Sequence, residues 1–321
     1  MSCYHPLVGI PTGDGRFELH GARETDFFDY LRRRDNGNIL IPCGRCIGCK
    51  LDYSRMWADR MMLELDAHDG KGVFLTLTYD DDHVPILFDE YDNSLGMTLD
   101  KRDCQLFMKR LRKEFKDKKI RFFASGEYGP TYGRPHMHLI LFGVGLDDFS
   151  PLLLRGKNEI GQPYYCSGLL GKVWTSGFSL LSGVSWETCA YVARYVVKKI
   201  GTMYLSEPDP DGFTPEFSLM SRMPGIGRPY LDAYPDCLDY KTVSVSTEDG
   251  SKEISIPKYF LESFRLTDSE RYEKMKLARR EYADDRMLHK LLNTDVSLFE
   301  YFEVEEQNKI SSVNALKRNK L

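Results

Sequence analysis

The sequence predicts an α+β fold built around an antiparallel sheet, and three observations lead to it. Residues 73–79 combine β-branched and aromatic side chains and stop at an acidic turn, as a strand does. Residues 120–125 and 136–142 are also strand-like, and the Gly- and Pro-rich stretch between them is typical of a hairpin-like antiparallel pair. Apolar residues recur at helical spacing on both sides of these strands. We therefore expect helices packed on a central antiparallel sheet.

Four helical segments are predicted along the chain. Residues 50–68 place apolar side chains near helical spacing, and residues 103–117 have an apolar stripe with a basic opposite face. Residues 186–199 have the composition of a helix with aromatic residues one turn apart. Residues 261–292 are charged and helical, and the last dozen residues are expected to be frayed.

One further hairpin and a long insertion complete the prediction. Residues 143–182 are interpreted as a loop-rich insertion. Val243 and Val245 alternate before an Asp-Gly turn and are followed by Ile254 and Ile256, which is the pattern of a β-hairpin. We expect an N-terminal segment with a cysteine cluster and a helix, a core, and a C-terminal hairpin with a helical extension, with boundaries at 1–70, 71–205 and 206–321.

Charge is distributed unevenly along the chain. The 321 residues include 44 Lys and Arg against 48 Asp and Glu, for a net charge of −4 and a pI near 6.0, which argues against a histone-like or tail-driven nucleic-acid binder. Residues 101–200 nevertheless hold 17 basic and 8 acidic side chains, leaving 27 and 40 elsewhere. Such a basic zone can attract phosphates locally.

Two groups of basic residues are candidate DNA contacts. The basic face of the 103–117 helix could follow a DNA backbone, although such a face is more often simply solvated. Arg222 and Arg228 flank the loop 224–227, where closely approached backbone amides can meet phosphates.

The cellular compartment can be inferred from what the sequence lacks. The first residues have no basic and apolar signal regions, and no run of about 18 apolar residues occurs, so we expect neither export nor membrane spanning. Eight cysteines are too few for a secreted disulfide scaffold of this length. We expect a cytoplasmic protein with reduced thiols, some of them bound to metal.

His136 and His138 form the strongest chemical signal. Because side chains alternate along a strand, both imidazoles project from one face and Met137 from the other. Glu127 ends the preceding strand, so a hairpin could bring its carboxylate beside them. Two His and one Glu leave coordination positions open for substrate oxygens, as a catalytic ion requires. The alternative is that these are ordinary polar residues.

Tyrosines on the 186–199 helix are candidate nucleophiles. Tyr191, Tyr195 and Lys199 recur at intervals of four, which places them on roughly one helical face, and Lys198 lies close by. A phenol near basic groups is a plausible nucleophile toward a phosphodiester. A helical tyrosine otherwise usually fills a core or an interface.

Three cysteines are crowded into the spacing Cys43-x2-Cys46-x2-Cys49. These thiolates, with either Cys3 or His5 as the fourth ligand, could bind a structural zinc ion. The alternative is a set of reduced thiols around a glycine turn.

Several sequence runs resemble the motifs of one family. Residues 126–138 read GEYGPTYGRPHMH and residues 191–199 read YVARYVVKK. In this order, a strand, Glu, His-x-His and paired Tyr resemble the HUH endonucleases that initiate rolling-circle replication. Residues 3–6, 42–46 and 221–227 extend the likeness to replication initiators of gokushovirus-type microviruses, which are small single-stranded DNA phages.

The resemblance implies a fold and a chemistry. It implies a ferredoxin-like, Rep-like sheet topology and places an HUH endonuclease core at residues 71–205. Glu127, His136 and His138 would bind Mg²⁺ or Mn²⁺, and Tyr191 or Tyr195 would attack phosphorus to give a 5′-phosphotyrosine and a free 3′-hydroxyl. Two lysines of the same helix would hold the phosphate or the leaving group, namely Lys198 and Lys199.

The implied partners are single-stranded origin DNA, to which the protein becomes covalently attached, and a host helicase and polymerase in the bacterial cytoplasm. Two other functions remain open from the residues themselves. A metal-dependent phosphodiester hydrolase would act without a protein adduct. A zinc-stabilised DNA-binding protein would bind DNA without cleaving it.

Overall fold

A computed structural model of the chain describes residues 3–14, 16–21, 37–129, 131–158, 161–200, 212–247, 250–265 and 268–318. The chain divides into two compact units. The larger contains Ser54–Lys199 and Met203–Leu261, and the smaller contains Met1–Tyr53, Ile200–Thr202 and Glu262–Leu321. The sequence-based division at 70 and 205 stays a prediction. Among the described residues, none of the helices combines the length and hydropathy needed to span a lipid bilayer.

The strands in chain order are β1 (Leu7–Pro11), β2 (Phe17–Gly21), β3 (Ile39–Ile41), β4 (Gly72–Tyr79), β5 (Ile86–Phe88), β6 (Ser94–Met97), β7 (Arg121–Tyr128), β8 (Pro135–Phe142), β9 (Leu152–Lys157), β10 (Pro163–Ser167), β11 (Gly177–Ser182), β12 (Phe217–Met220), β13 (Thr242–Thr247) and β14 (Gly250–Ser255). The α-helices are α1 (Ile47–Asp66), α2 (Lys101–Glu114), α3 (Gly168–Val173), α4 (Trp186–Ile200), α5 (Arg228–Ala233), α6 (Lys258–Phe264), α7 (Ser269–Leu292) and α8 (Leu298–Arg318).

A seven-stranded antiparallel sheet organises the described part of the larger unit. Its strand order is β12-β7-β8-β4-β11-β10-β9. The central strands β7-β8-β4-β11 and the helices α2 and α3 follow one another along the chain as β4-α2-β7-β8-α3-β11, which is the ferredoxin-like β-α-β-β-α-β arrangement. The predicted α+β class and central antiparallel sheet are confirmed.

The two faces of this sheet differ in what covers them. One face packs against α2 and α3 through a fully apolar cluster that includes Leu75, Leu139, Phe107, Leu111 and Leu170. This burial follows from the strand alternation, since every second residue of β4 is buried. The opposite face receives α1 and α4: the ring of Trp57 lies 5.1 Å from that of Phe123, and the ring of Tyr191 lies 6.3 Å from that of Phe74.

The basic helix lies on the face away from the histidines. The apolar stripe of α2, with Cys104, Phe107, Met108 and Leu111 buried, packs on the cluster around Leu139. The histidine-bearing face of β8 is the other one. The predicted contact of this helix with a DNA backbone stays a prediction, and it would have to be made on that far side of the sheet.

The interpretation of residues 143–182 as a loop-rich insertion was wrong. These residues contain β9, β10, α3 and β11, and β11 pairs directly with the central strand β4. The strands were missed because β9 is a largely exposed edge strand without clear alternation, and β11 is a six-residue segment that starts at Gly177.

The described part of the smaller unit combines a three-stranded sheet, in the order β2-β1-β3, with helices α7 and α8. The predicted C-terminal helical extension is confirmed, but the expected fraying of the last dozen residues was wrong, because α8 continues to Arg318. Phe302 is buried, and half-buried residues follow it at helical spacing, including the polar Glu305, Glu306 and Lys309. Those polar members hide the stripe from a hydropathy pattern.

Candidate active site

The β7–β8 hairpin sets the register of the candidate metal ligands. Its turn is closed by the Gly129 amide, which donates to the Arg134 carbonyl at 2.9 Å. Gly133 in this turn has φ of +63°, a conformation that glycine adopts without strain. The turn makes Glu127 the direct cross-strand partner of His136. Cross-strand partners project from the same face of a sheet, so the two side chains meet.

His138 joins this pair from the same strand. It lies two residues beyond His136 and therefore projects from the same face, while Met137 is buried in the opposite cluster. One ligand atom from each of Glu127, His136 and His138 lies within 4.8 Å of the others. The structure thus places together the three side chains that the sequence spacing selected.

Hydrogen bonds aim both imidazoles at the same carboxylate oxygen. Glu127 Oε1 lies 2.5 Å from His136 Nε2 and 2.8 Å from His138 Nε2. On the far side of one ring, His136 Nδ1 lies 3.1 Å from the Arg134 carbonyl oxygen, and on the other, His138 Nδ1 lies 3.0 Å from Thr76 Oγ1. A carbonyl can only accept, so His136 Nδ1 must carry the proton and Nε2 presents its lone pair to the site.

The donor set fits a cation. Glu127 is only 3% exposed, and its second oxygen, Oε2, is buried without a hydrogen-bond partner. A buried carboxylate oxygen is costly to desolvate unless something compensates it. Two imidazole nitrogens and one carboxylate converging on a point next to this oxygen are an incomplete ligand sphere, which leaves positions for other oxygens.

Burial and hydrogen bonding act against each other on the titration of these groups. Burial opposes ionisation of Glu127, but the hydrogen bonds with His136 and His138 outweigh it and hold the pKa of this carboxyl below its ordinary value. Burial lowers the pKa of His138, although Glu127 opposes the change. The carboxylate form of Glu127 and the neutral form of His138 are the forms that bind metal.

Tyr191 is the tyrosine that the structure brings to this cluster. Its Oη lies 3.4 Å from His138 Nε2, and its ring meets the His138 ring edge-on at a centroid distance of 5.0 Å. Phe74 stacks on the other side of the system, with its ring 5.6 Å from that of His138. Tyr191 is therefore held beside the candidate ligands by packing from both β4 and β8.

The remaining predicted residues of this helix are only partly placed. Tyr195, Lys198 and Lys199 belong to α4, but their side chains lie outside what the structure describes. Their predicted roles stay predictions.

The two arginines of the predicted DNA-contact loop are placed differently from each other. Arg222 is exposed, whereas Arg228 Nε pairs with Asp232 at 2.6 Å. The loop between them is tied to α1, because the Gly227 amide donates to Glu64 at 2.6 Å and the Arg60 guanidinium donates to the Ile226 carbonyl at 2.8 and 3.0 Å. Their contact with DNA is not tested by these positions.

Sequence reasoning missed Thr76 and Phe74, which orient and stack on His138. Both lie on β4, far from β8 in sequence. Thr76 is the cross-strand partner of His138, and that register joins residues 62 positions apart. The alternation of β4 showed which of its residues share a face, and only the pairing of β4 with β8 shows that this face carries the histidines.

Comparisons with known proteins agree on one family. Residues 72–200 match a family model for the replication-associated protein ORF2. The chain is 30% identical over 273 residues to replication-associated protein ORF2 of Spiroplasma virus 4, an alignment covering 81% of this chain and 79% of that protein. It is 28% identical over 262 residues to replication-associated protein VP4 of Bdellovibrio phage phiMH2K, covering 78% and 77% respectively. No solved structure matches the chain.

Proposed function

This chain belongs to the replication-associated proteins of gokushovirus-type microviruses, and we propose that it initiates rolling-circle replication by nicking single-stranded origin DNA. The observation that carries the proposal is the convergence of Glu127, His136 and His138 with the Tyr191 hydroxyl 3.4 Å from His138 Nε2. A metal-binding cluster in contact with a phenol is the arrangement that an HUH endonuclease requires for strand transfer.

The proposed step is a transesterification. Tyr191 Oη attacks the scissile phosphorus, a bond forms between them, and the bond from phosphorus to the 3′-oxygen breaks. The phenol loses one proton and the departing 3′-oxygen gains one, so protons balance. The products are a 5′-phosphotyrosine and a free 3′-hydroxyl. No water enters, and the phosphodiester energy is kept for rejoining.

Glu127, His136 and His138 would hold a divalent cation. When bound, the ion would polarise the scissile phosphate and stabilise the charge that develops on its oxygens. Imidazole ligands favour Zn²⁺ by intrinsic affinity, so the proposal of Mg²⁺ or Mn²⁺ rests on the resemblance to HUH endonucleases and on metal availability. The site offers too few protein ligands to close the sphere, which suits an ion that must also meet a phosphate.

The second tyrosine gives the reaction its return step. Tyr195 lies one helical turn after Tyr191 in α4. We propose that one tyrosine opens the origin and that the other cuts it again after a round of synthesis, while the displaced strand is joined into a circle. Lys198 and Lys199, on the last turn of the same helix, would hold the phosphate or the leaving group. The free 3′-hydroxyl would serve a host polymerase, with a host helicase opening the duplex.

The test is a covalent-adduct assay. Oligonucleotides tiled across the viral genome are incubated with the protein and Mn²⁺, and a protein–DNA species resistant to denaturant is sought. We expect an adduct at one position, its strong reduction in Tyr191→Phe or Tyr195→Phe, and its absence from the double variant. Tyr165→Phe is the matched control, because Tyr165 packs on the opposite face of the sheet. An adduct of normal yield in the double variant would contradict the mechanism.

A second experiment separates the two rival functions. His136→Ala and His138→Ala should each abolish cleavage while leaving single-stranded DNA binding measurable. Cleavage that persists without either tyrosine and without an adduct would favour a metal-dependent hydrolase. Binding with no cleavage under any metal would favour a non-enzymatic DNA-binding protein.

A further inference from the structure

Four cysteine sulfurs meet in the smaller unit. Cys3, Cys43, Cys46 and Cys49 place their Sγ atoms within 4.8 Å of one another, and the Sγ atoms of Cys43 and Cys49 are 4.0 Å apart. Cys3, Cys46 and Cys49 are buried and Cys43 is half-buried. All four are free thiols, and their cluster packs with Tyr4. This cluster is separate from the histidine site and takes no part in the proposed strand transfer.

Backbone amides point at these sulfurs. Tyr4 and Cys49 donate to Cys46 Sγ, Arg45 and Cys46 donate to Cys43 Sγ, and Cys43 donates to Cys3 Sγ, at 3.2–3.4 Å. A neutral thiol is a weak acceptor, whereas a thiolate is a strong one. Five amides directed at three sulfurs therefore indicate that the cluster is built for thiolates.

The fold explains why the four sulfurs converge. β1 and β3 are antiparallel, with Leu7 opposite Ile41, so the chain before β1 and the chain after β3 come to the same end of the sheet. Cys3 lies just before β1 and Cys43 just after β3. Cys46 and Cys49 lie at the N-terminus of α1, where the helix dipole favours negative sulfur.

We propose that Cys3, Cys43, Cys46 and Cys49 bind one structural Zn²⁺ ion. Four thiolates around one ion at Zn–S distances of about 2.3 Å form a closed tetrahedral site, with no position left for substrate. A four-iron cluster would hold its cysteines at the outer corners of a much larger core, and the sulfurs are too close together for that. Arg45 and Lys50, next to the cluster in sequence, offset the negative charge of a four-thiolate site.

Zinc would supply what the surrounding core lacks. The apolar cluster at this point consists of the cysteines themselves and Tyr4. A small element with little apolar core commonly depends on a metal or a disulfide. The ion would fasten the chain before β1 to the start of α1.

The test measures metal content of the full chain. Protein purified without chelators should contain one equivalent of zinc by mass spectrometry, and this zinc should be lost in Cys46→Ser and Cys49→Ser. Cys166→Ser is the matched control, since Cys166 lies on β10 outside the cluster. The zinc should remain in a His136→Ala, His138→Ala double variant, which separates it from the histidine site.

Cobalt substitution covers the case in which a cysteine variant fails to fold. Co²⁺ added to the metal-free reduced chain should give the thiolate charge-transfer and visible bands of a tetrahedral four-sulfur site, and zinc should bleach them. Absence of zinc from the purified protein together with absence of these bands would overturn the proposal. So would zinc retained in full by the two cysteine variants.

A second, independent observation concerns Phe178. Its side chain is 70% exposed on β11, and it pairs across the sheet with Thr78, which in turn pairs with His136. The three residues form one row on one face, so Phe178 lies two strands, or about 10 Å, from His136. A large aromatic side chain is thus presented to solvent beside the proposed active site.

We infer that Phe178 stacks on a nucleobase of the single strand bound at this site, an inference that rests on the proposed function. Every base has a π-face, so one aromatic residue can hold a strand without reading its sequence. Phe178→Ala should weaken the affinity for a fluorescein-labelled oligothymidylate by about 5- to 150-fold, and Phe178→Trp should preserve it.

Fluorescence anisotropy without added metal distinguishes the two levels of the inference. Leu154→Ala is the control, because Leu154 is an exposed apolar residue of the same sheet that pairs with Tyr165 on the opposite face. If the unmodified protein does not bind the oligonucleotide, the proposed function itself is in error. If it binds and Phe178→Ala binds equally well, the stacking role is overturned while the proposed function stands.

Discussion

Replacing Thr76 with valine should weaken divalent-metal binding at the histidine site by about 10- to 100-fold. The Thr76 hydroxyl lies 3.0 Å from His138 Nδ1 and fixes the orientation of the ring whose Nε2 faces Glu127. Valine keeps the shape and strand preference of threonine but offers no hydrogen bond. The expected loss corresponds to about 1.4–2.8 kcal/mol of binding free energy, the range expected when a polar partner of a metal-ligating histidine is removed.

The assay is a Mn²⁺ titration read in two ways. Free Mn²⁺ is followed by its electron paramagnetic resonance signal, and adduct formation is followed on the same samples. We expect the curve for Thr76→Val to move to higher Mn²⁺ in both readouts, with the maximum adduct yield largely restored at saturating metal. A loss of rate that excess metal does not restore would indicate that Thr76 acts on DNA instead.

Thr78→Val is the matched control for this experiment. Thr78 lies on the same strand and the same face as Thr76, and it is the cross-strand partner of His136. The Nδ1 atom of that histidine is already held by the Arg134 carbonyl. The control should therefore bind Mn²⁺ normally. Equal Mn²⁺ affinity in the unmodified protein and Thr76→Val would refute the assigned role of the hydroxyl.

Two further predictions concern the scaffold of the larger unit. Burial opposes ionisation of Glu64, but hydrogen bonds from His68, Arg121 and the Gly227 amide outweigh it and lower its pKa, so its stabilising effect is present above the unfolded-state value of about 4.3 and is lost as the pH falls through the folded-state pKa. Glu64→Gln should then reduce the free energy of urea unfolding by roughly 3 kcal/mol at neutral pH and by less in acid, and an equal difference at both pH values would contradict this. Gly177 has φ of +145° and leaves no room for a Cβ beside the backbone of β4, so Gly177→Ala should destabilise by roughly 1–3 kcal/mol, whereas Gly171→Ala, which meets open space in α3, should not. Thermal unfolding of the two variants tests the difference.

Local patterns were sufficient for the hairpin that carries the site. The period of two in β8 puts His136 and His138 on one face, and the glycine-rich turn returns β7 so that Glu127 arrives opposite His136. Helix positions were also recovered to within a few residues, since α2 begins at Lys101 and was expected at 103. These features depend on residues close together in the chain.

Features that depend on pairing between distant segments were not recovered. The sheet edge β9-β10-β11 was taken for loop, and with it the position of Phe178 was lost. Its place beside the site requires the register of β11 on β4 and of β4 on β8 together. A one-residue slip in either register would turn Phe178 to the opposite face.

The choice between Cys3 and His5 illustrates the same limit on a shorter scale. Both residues precede β1, and spacing alone offered either as the fourth ligand. In the structure Cys3 joins the three other sulfurs, while His5 Nε2 lies 2.5 Å from Glu306 of α8, 301 residues away in sequence. Only a long-range contact decides which of two neighbouring side chains turns toward the cluster.

The basic middle of the chain takes on a different meaning once the helices are placed. Much of its positive charge belongs to α2, which packs on the face of the sheet opposite His136. A helix is about 10 Å across with its side chains, and charges are screened over about 8 Å at physiological salt. These charges therefore act weakly on a strand lying over the histidines. Holding that strand must depend on groups of the histidine face itself, which is why the metal ligands and an exposed aromatic side chain carry so much of the proposed binding.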